Sequence, residues 1–315
     1  MTPSTSVGSL HAPEPVGPME DEESRPWERI LIGVFITVPL LAVAAAVPVA
    51  WGWGLGWRDV VITAVLYLVT GFGITAGYHR HFTHGSFKAP RPVRYALGIA
   101  GSMALEGPIT RWVADHRKHH RYSDRDGDPH SPWKYGRSPG GLVRGLLHAH
   151  MGWMFDKEQT PKRRYAPDLL ADRDVALMTR LFPLWVAISL LLPAVVGGLW
   201  SWSWQGALSG FFWGGLVRIG LIHQVTWSVN SLCHVFGKRQ FATRDRSTNV
   251  WWLALPSLGE SWHNLHHALA TSARHGVLRG QLDPSAALIR LLERLRLAYD
   301  VRWPDPARVA AKRLP

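Results

Sequence analysis

The sequence predicts an all-α integral membrane protein, with four transmembrane helices in two hairpins under a cytoplasmic helical cap that holds a His-rich dimetal site. Three observations predict it. Long uncharged apolar runs alternate with basic stretches. Lys and Arg fall almost entirely on one side of those runs. Imidazoles gather where the runs end.

Residues 1–27 are polar and Pro-rich, with the acidic run Glu20-Asp21-Glu22-Glu23, and read as a disordered tail. Residues 28–305 form the main domain. Ile30 to Trp53 holds no charge, and neither does Val60 to Tyr78 or Leu181 to Trp204. A bilayer core takes about 20 apolar residues per helix, so spans are expected near 30–53, 60–78 and 181–204. A fourth is expected at 207–227, interrupted by Arg218. The first run is too long for a cleaved signal peptide and lacks an A-x-A-like exit. Short links, Gly54 to Asp59 and Gln205-Gly206, make each pair a hairpin. Tyr95 to Leu105 and Leu142 to Phe155 are too short to span and read as interfacial or packed helices. Asp283-Pro284-Ser285 starts a further helix, with Asp at N-cap and Pro at the first helical position. There Leu288, Leu291, Leu292 and Leu295 share one face. Residues 306–315 read as a C-terminal tail.

Two hairpins leave the tail, 79–180 and 235–315 on one side. Of 35 Lys and Arg, only Arg58 and Arg218 lie elsewhere. The positive-inside rule places both termini and the cap, 79–180 and 235–305, in the cytoplasm. Trp-rich turns (WGWGLGW, WSWSWQG) at the other face suit an aromatic belt. The net charge of +12 fits anionic lipid, an anionic substrate or an acidic partner. No motif supports nucleic-acid binding, and the spans argue against it.

The one cysteine, Cys233, excludes a Cys-based zinc or iron–sulfur site, so any metal rests on nitrogen and oxygen. The 16 histidines supply the nitrogen. HRHFTH (His79 to His84) closes the second run, HRKHH (His116 to His120) follows, NSLCH (Asn230 to His234) ends the fourth run, and HNLHH (His263 to His267) comes last. Residues three and four apart share a helix face, so each HxxHH presents three imidazoles together. Nine histidines are too many for one ion and about right for two. Imidazole suits zinc, copper, iron and nickel; a redox metal is favoured because no hydrolytic base stands inside the boxes. Trp112, Trp262, Tyr78 and Phe82, beside the boxes, are candidate walls of a substrate site.

These four boxes, with the Asp128-Pro129-His130 that follows HRKHH, resemble those of the membrane fatty acid desaturases, most of all the stearoyl-CoA (acyl-CoA delta-9) branch, over about residues 30–305. The resemblance implies two iron ions, dioxygen as co-substrate, and insertion of a cis double bond into a long-chain saturated acyl chain. It implies His79, His84, His116, His119, His120, His234, His263, His266 and His267 as metal ligands, with Asn230 acting through a water. His81 stands where the family is usually apolar and is not expected to ligate. His130, His148, His150, His223 and His275 are given supporting or structural roles. Asp115, Asp128 and Glu260 are expected to hydrogen-bond ligand imidazoles and fix their tautomers. Zinc could replace iron in overexpressed protein.

One departure bears on the substrate. The branch carries a basic pair after its H-x-G-W stretch to hold the head group; here His150-Met151-Gly152-Trp153 leads to Asp156 and Lys157. Lys157 remains a substrate-binding candidate and acyl-CoA the favoured substrate, with an acyl-lipid desaturase as the alternative. These residues include no haem-binding cytochrome domain, so a separate electron-transfer protein is expected, of ferredoxin, flavoprotein reductase or cytochrome b5 type. The rival function is a histidine-box membrane hydroxylase of lipids or alkanes. A metal transporter fits less well, because transporters place ligands at the midplane.

Overall fold

In the computed structural model, which describes residues 22–52 and 54–315, helices follow one another almost without strands. In chain order they are α1 (Pro26–Trp51), α2 (Trp57–Phe72), α3 (Arg91–Ser102), α4 (Ile109–Tyr122), α5 (Pro139–His150), α6 (Lys162–Tyr165), α7 (Pro167–Ala171), α8 (Arg173–Arg180), α9 (Phe182–Ser201), α10 (Trp204–Gly210), α11 (Arg218–Ser231), α12 (His263–Ala268), α13 (Pro284–Arg294) and α14 (Pro306–Lys312). π-helical segments Gly73–Thr83 and Phe211–Val217 continue α2 and join α10 to α11.

Among the described residues, three helical runs are long and apolar enough to cross a membrane: Pro26–Trp51, Trp57–Thr83 and Phe182–Ser201. The first starts at Pro26 rather than near 30. Pro sits in its first turn, and Glu28 turns back to accept the Arg25 backbone N–H at 2.8 Å, so capping and not the first uncharged residue sets the boundary. The second runs past 78 to Thr83, carrying its histidines on the helix itself. Outward leucines and valines such as Val34, Val38 and Leu41 on α1, and Leu191, Val195 and Leu199 on α9, suit a lipid surround. The expected fourth run is one continuous helix from Trp204 to Ser231, but Arg218 stands within it. The fourth crossing is therefore part of the proposed function.

Arg218 is fully buried, and backbone carbonyls answer its guanidinium. It donates to the carbonyls of Gly214, Met103 and Ser189 at 3.0, 3.0 and 3.1 Å, and to the Ser189 hydroxyl at 2.8 Å. A charge among apolar helices is tolerable when its donors are so satisfied. Next to this, His223 Nε2 meets the Ala104 carbonyl at 2.9 Å, so α11 holds the loop after α3 from two positions.

Trp51 and Trp202 are each 88% exposed, and Trp57 meets Trp200 edge-on at 5.0 Å. The Trp-rich turns thus share one end of the bundle, as a belt requires. Towards the opposite end, α3 crosses the π-helical stretch so closely that a Cβ on Gly73 would lie 2.1 Å from the Gly101 nitrogen. Only small residues permit such an approach.

The expected tail divides. Residues 1–21 lie outside the described residues. Glu22–Glu23 pairs antiparallel with Glu158–Gln159, and α1 has begun by Pro26. The expected C-terminal tail is also structured. Asp305 caps α14, and Leu314 donates its backbone N–H to the Gln240 carbonyl at 2.9 Å. α3 and α5 occupy the two short apolar stretches. Asp283 caps α13 by accepting from the Ala286 N–H, as its sequence predicts. Leu288 and Leu292 pack inward from α13, whereas Leu291 and Leu295 stay exposed.

Candidate metal centre

All nine expected histidines converge, and they divide into two adjoining groups. His79, His84, His116, His120 and His266 form one; His119, His234, His263 and His267 form the other; within each, one ring nitrogen per residue lies within 4.8 Å of every other. The rings of His120 and His267 stack at 4.5 Å across the boundary.

Local helix geometry explains the division. On α4, His116 and His120 are four apart and nearly aligned, and both enter the five-membered group; His119, about 60° around the axis, enters the other. On α12 the assignment reverses: His263 and His267 enter the four-membered group and His266 the five. Each HxxHH box therefore serves both groups instead of presenting three rings to one point. HRHFTH needs a different device. Residues five apart diverge by about 140° on an α-helix but realign on a π-helix. The His84 N–H bonds the His79 carbonyl at 3.2 Å, the five-residue π spacing, and the two rings sit 4.9 Å apart.

Carboxylates fix the ring orientations from behind. Glu260 Oε2 lies 2.5 Å from His79 Nδ1, Asp128 Oδ1 3.0 Å from His119 Nδ1, Asp124 Oδ2 2.9 Å from His234 Nδ1, and Asp245 Oδ2 2.8 Å from His267 Nδ1. A proton on each of these Nδ1 atoms leaves Nε2 as a bare lone pair facing inward. Yet the Nε2 atoms of His234 and His267 both approach His263 Nε2, at 3.0 and 2.9 Å. His263 can donate to one of them at most. In the other group, Nε2 contacts run from His79 to His266 to His120 to His116 at 3.0, 2.8 and 3.0 Å. Buried Nε2 atoms of His84 and His119 have no hydrogen-bond partner at all. Lone pairs so crowded repel unless a cation lies between them. Spacings of about 3 Å suit neighbouring ligands on a metal with bonds of about 2.1 Å. The residues fit two metal ions.

Burial and then the neighbouring imidazoles push the protonation of His84, His116, His120, His263, His266 and His267 well below the ordinary histidine range. Those rings hold their lone pairs free for a metal. Burial would raise the Glu260 and Asp128 carboxyls, but His79 and Arg80 beside the first, and His119 beside the second, hold both below the usual range.

Two of the three expected supporting carboxylates, Asp128 and Glu260, are thus against imidazoles. Asp115 is buried on α4, and its grip on an imidazole stays an expectation. Sequence reasoning missed Asp124 and Asp245. Asp124 carried a signal, since Asp124, Asp126 and Asp128 follow HRKHH closely. It adopts φ of 60°, which Asp tolerates better than most residues, and its N–H bonds Asp128 Oδ2 at 2.8 Å. Asp245 carried none; folding brings it from a loop far from any box. Arg80 was also missed. Fully buried, it donates to Glu260 Oε1 from Nε and Nη2 at 3.1 and 3.0 Å, and to Asp283 and the Ala273 carbonyl.

A cleft opens onto the centre. Tyr67, Ile74, Ile222, Val225, Val229 and Leu258 give it apolar walls, and Trp112, His79, His116, His263, Glu260 and Asn230 share the lining. Trp262 is not among the residues that line this cleft, and its indole N–H donates to the Leu282 carbonyl at 2.7 Å. Tyr78 and Phe82 are likewise absent from the lining and pack in the core. Lys157 is exposed, while Asp156 pairs with Lys134 at 3.2 Å. His81 meets the Phe87 carbonyl and joins neither group. His150 bonds Gln224 and Ser231, and His130 stacks on His119 at 4.2 Å.

Comparison with known proteins gives a consistent picture. The family described as fatty acid desaturase matches residues 55–279. The hex-5-enoyl-[acyl-carrier protein] acetylenase of Moorena producens is 36% identical, over 89% of this chain and 88% of its own. Delta-9 acyl-lipid desaturase 1 of Arabidopsis thaliana is 34% identical over 89% and 86%, and the acyl-CoA 5-desaturase AL21 of Anemone leveillei 34% over 91% and 86%.

Proposed function

The chain belongs to the fatty acid desaturase family and is an oxidoreductase of fatty acyl chains; on that premise we propose that it inserts a cis double bond, at delta-9, into a long-chain saturated acyl-CoA. The carrying observation is the division of nine histidines into groups of five and four beside an apolar cleft. The ions proposed are two irons. When bound, they supply the dioxygen-dependent oxidising power that an unactivated methylene requires and acid–base chemistry lacks. Overall, one acyl chain, one dioxygen, two electrons and two protons give one alkene and two waters.

The chain's own residues bind and orient. The nine imidazoles hold the ions, and Asn230, four residues before His234, reaches the four-membered group through a water. Asp124, Asp128, Asp245 and Glu260 hold the rings in register. The cleft keeps water out and presents one pair of carbons beside His79, His116 and His263; small displacements there cost much of the rate. Four crossings, with both termini and the centre on the cytoplasmic side, complete the proposal, supported by the distribution of Lys and Arg.

A second reading, an acyl-lipid substrate, is favoured by Asp156. It stands where a basic head-group ligand is expected and is already paired with Lys134. Expression in a desaturase-deficient host tests the function: a new monounsaturated acyl chain, its double bond located by mass spectrometry, is expected. Purified protein given stearoyl-CoA or a saturated phospholipid distinguishes the two substrates. Incubation with labelled dioxygen separates a hydroxylase, whose product gains one labelled atom; a labelled product overturns the proposal.

A further inference from the structure

The desaturase reaction consumes two electrons, which must enter from outside the chain. Resting on that reading, we propose that the surface around Trp133, formed with Arg125, Arg244 and Arg246, docks an acidic one-electron carrier protein and passes its electrons inward. The Trp133 indole is part-exposed, and its Nε1–H donates to the main-chain carbonyl of His234 at 3.0 Å. His234 belongs to the four-membered group. One hydrogen bond and the covalent bonds of a single residue therefore join a surface ring to a proposed metal ligand.

A cation covers that ring. The Arg246 guanidinium lies over it, 4.1 Å from its centroid. The Arg246 backbone N–H bonds Asp124 Oδ2 at 2.7 Å, the same oxygen that contacts His234 Nδ1, so this loop is anchored to His234 from its other side. Exposed Arg125 reaches the carbonyl of exposed Arg244 at 3.5 Å and closes the cluster. Nearby acids are largely engaged: Asp124 with His234, and Asp245 with His267 and Ser247. Asp126 is the exposed acid of the same loop. One guanidinium stacked on the ring, with exposed Arg125 and Arg244 tied together on the adjoining loops, favours a negatively charged face. A lipid head group would suit the charge but supplies no electrons.

The test uses full-length protein in detergent and an acidic plant-type [2Fe–2S] ferredoxin, with an acidic haem domain as second probe. Oxidised carrier is titrated against metal-free and metal-loaded protein. At low salt the Arg125→Glu/Arg244→Glu pair should weaken binding about tenfold or more, and salt should weaken wild-type binding likewise. Trp133→Leu should slow reduction of the loaded centre by ferredoxin about tenfold more than reduction by dithionite. Unchanged carrier binding in the charge-reversed protein, an equal effect of Trp133→Leu with both reductants, or failure of both carriers to bind wild type overturns the proposal. Binding to phosphatidylglycerol vesicles that the reversal abolishes, with carrier binding intact, makes the surface a lipid contact and overturns it too. Carrier-driven reduction without any alkene leaves this surface standing and removes the desaturase reading instead.

Discussion

The five- and four-membered histidine groups draw on the same two HxxHH boxes, yet they are held by different means. The larger takes one direct carboxylate contact, Glu260 on His79, and Arg80 steadies that carboxylate from inside the fold. The smaller takes three, Asp128, Asp124 and Asp245, from the loops that follow α4 and the turn at His234. The larger is built around helical backbone at the end of a span, where a rigid π-turn aims two rings. The smaller draws its rings from α4, α12 and the short turn that ends at His234, and carboxylates anchor three of its four rings.

The largest expected effects come from removing a ligand. His119→Ala should abolish turnover, and so should His266→Ala, although the two act on different groups. Metal analysis of purified protein sharpens the contrast: each variant should lose about one of two equivalents. Loss of both ions from either variant would make the groups one cooperative site and end the comparison. Undiminished double-bond yield from His119→Ala would refute its role as a ligand.

Next is the anchor of the larger group. Arg80→Met keeps side-chain bulk but leaves Glu260 and Asp283 buried without their cation. Breaking such a pair costs about 3–5 kcal/mol, so a large fall in Tm is expected. The double variant Arg80→Met/Glu260→Gln should recover part of that stability while metal affinity stays low. No fall in Tm for the single variant would show that Arg80 does not organise this side of the centre.

Single carboxylate changes should cost less, about 10–100-fold in metal affinity. Glu260→Gln should weaken the five-membered group alone. Asp124→Asn, Asp128→Asn and Asp245→Asn should each weaken the four-membered group, and pairs of them more than any one. Chelator competition on purified protein reads this directly. Equal loss from both groups in Asp128→Asn would contradict the separate anchoring.

Much of this was legible in the chain because histidine spacing and charge asymmetry are local. His79 through His267 could be named from four short motifs, and three of the spans from uncharged length. The division of each HxxHH box was not legible, because facing direction depends on where α4 and α12 pack. Nor was the π-helical turn under HRHFTH, which places residues five apart on one face. Asp245 and Trp133 reach their histidines only through tertiary folding, across 22 and 101 positions of sequence. Arg218 reads as an interruption of a span until the carbonyls of Met103 and Ser189 are seen to receive it.

The smallest expected effect falls at Asn230, and it probes the difference in ligand number. The four-membered group has one imidazole fewer, and Asn230 lines the cleft beside His263, one helical turn before His234. A carboxamide acting through a water contributes one hydrogen bond and no bond to the ion. Asn230→Ala should therefore keep both equivalents of metal and leave Tm nearly unchanged, while turnover falls by about tenfold, the worth of one hydrogen bond of roughly 1.4 kcal/mol. Asn230→His offers the sharper contrast. If the smaller group merely lacks a ring, a fifth imidazole should tighten its metal against chelator. If the water is needed for turnover, tighter metal should come with slower chemistry. Unchanged turnover in both variants would show that the asymmetry between the groups has no part in the reaction.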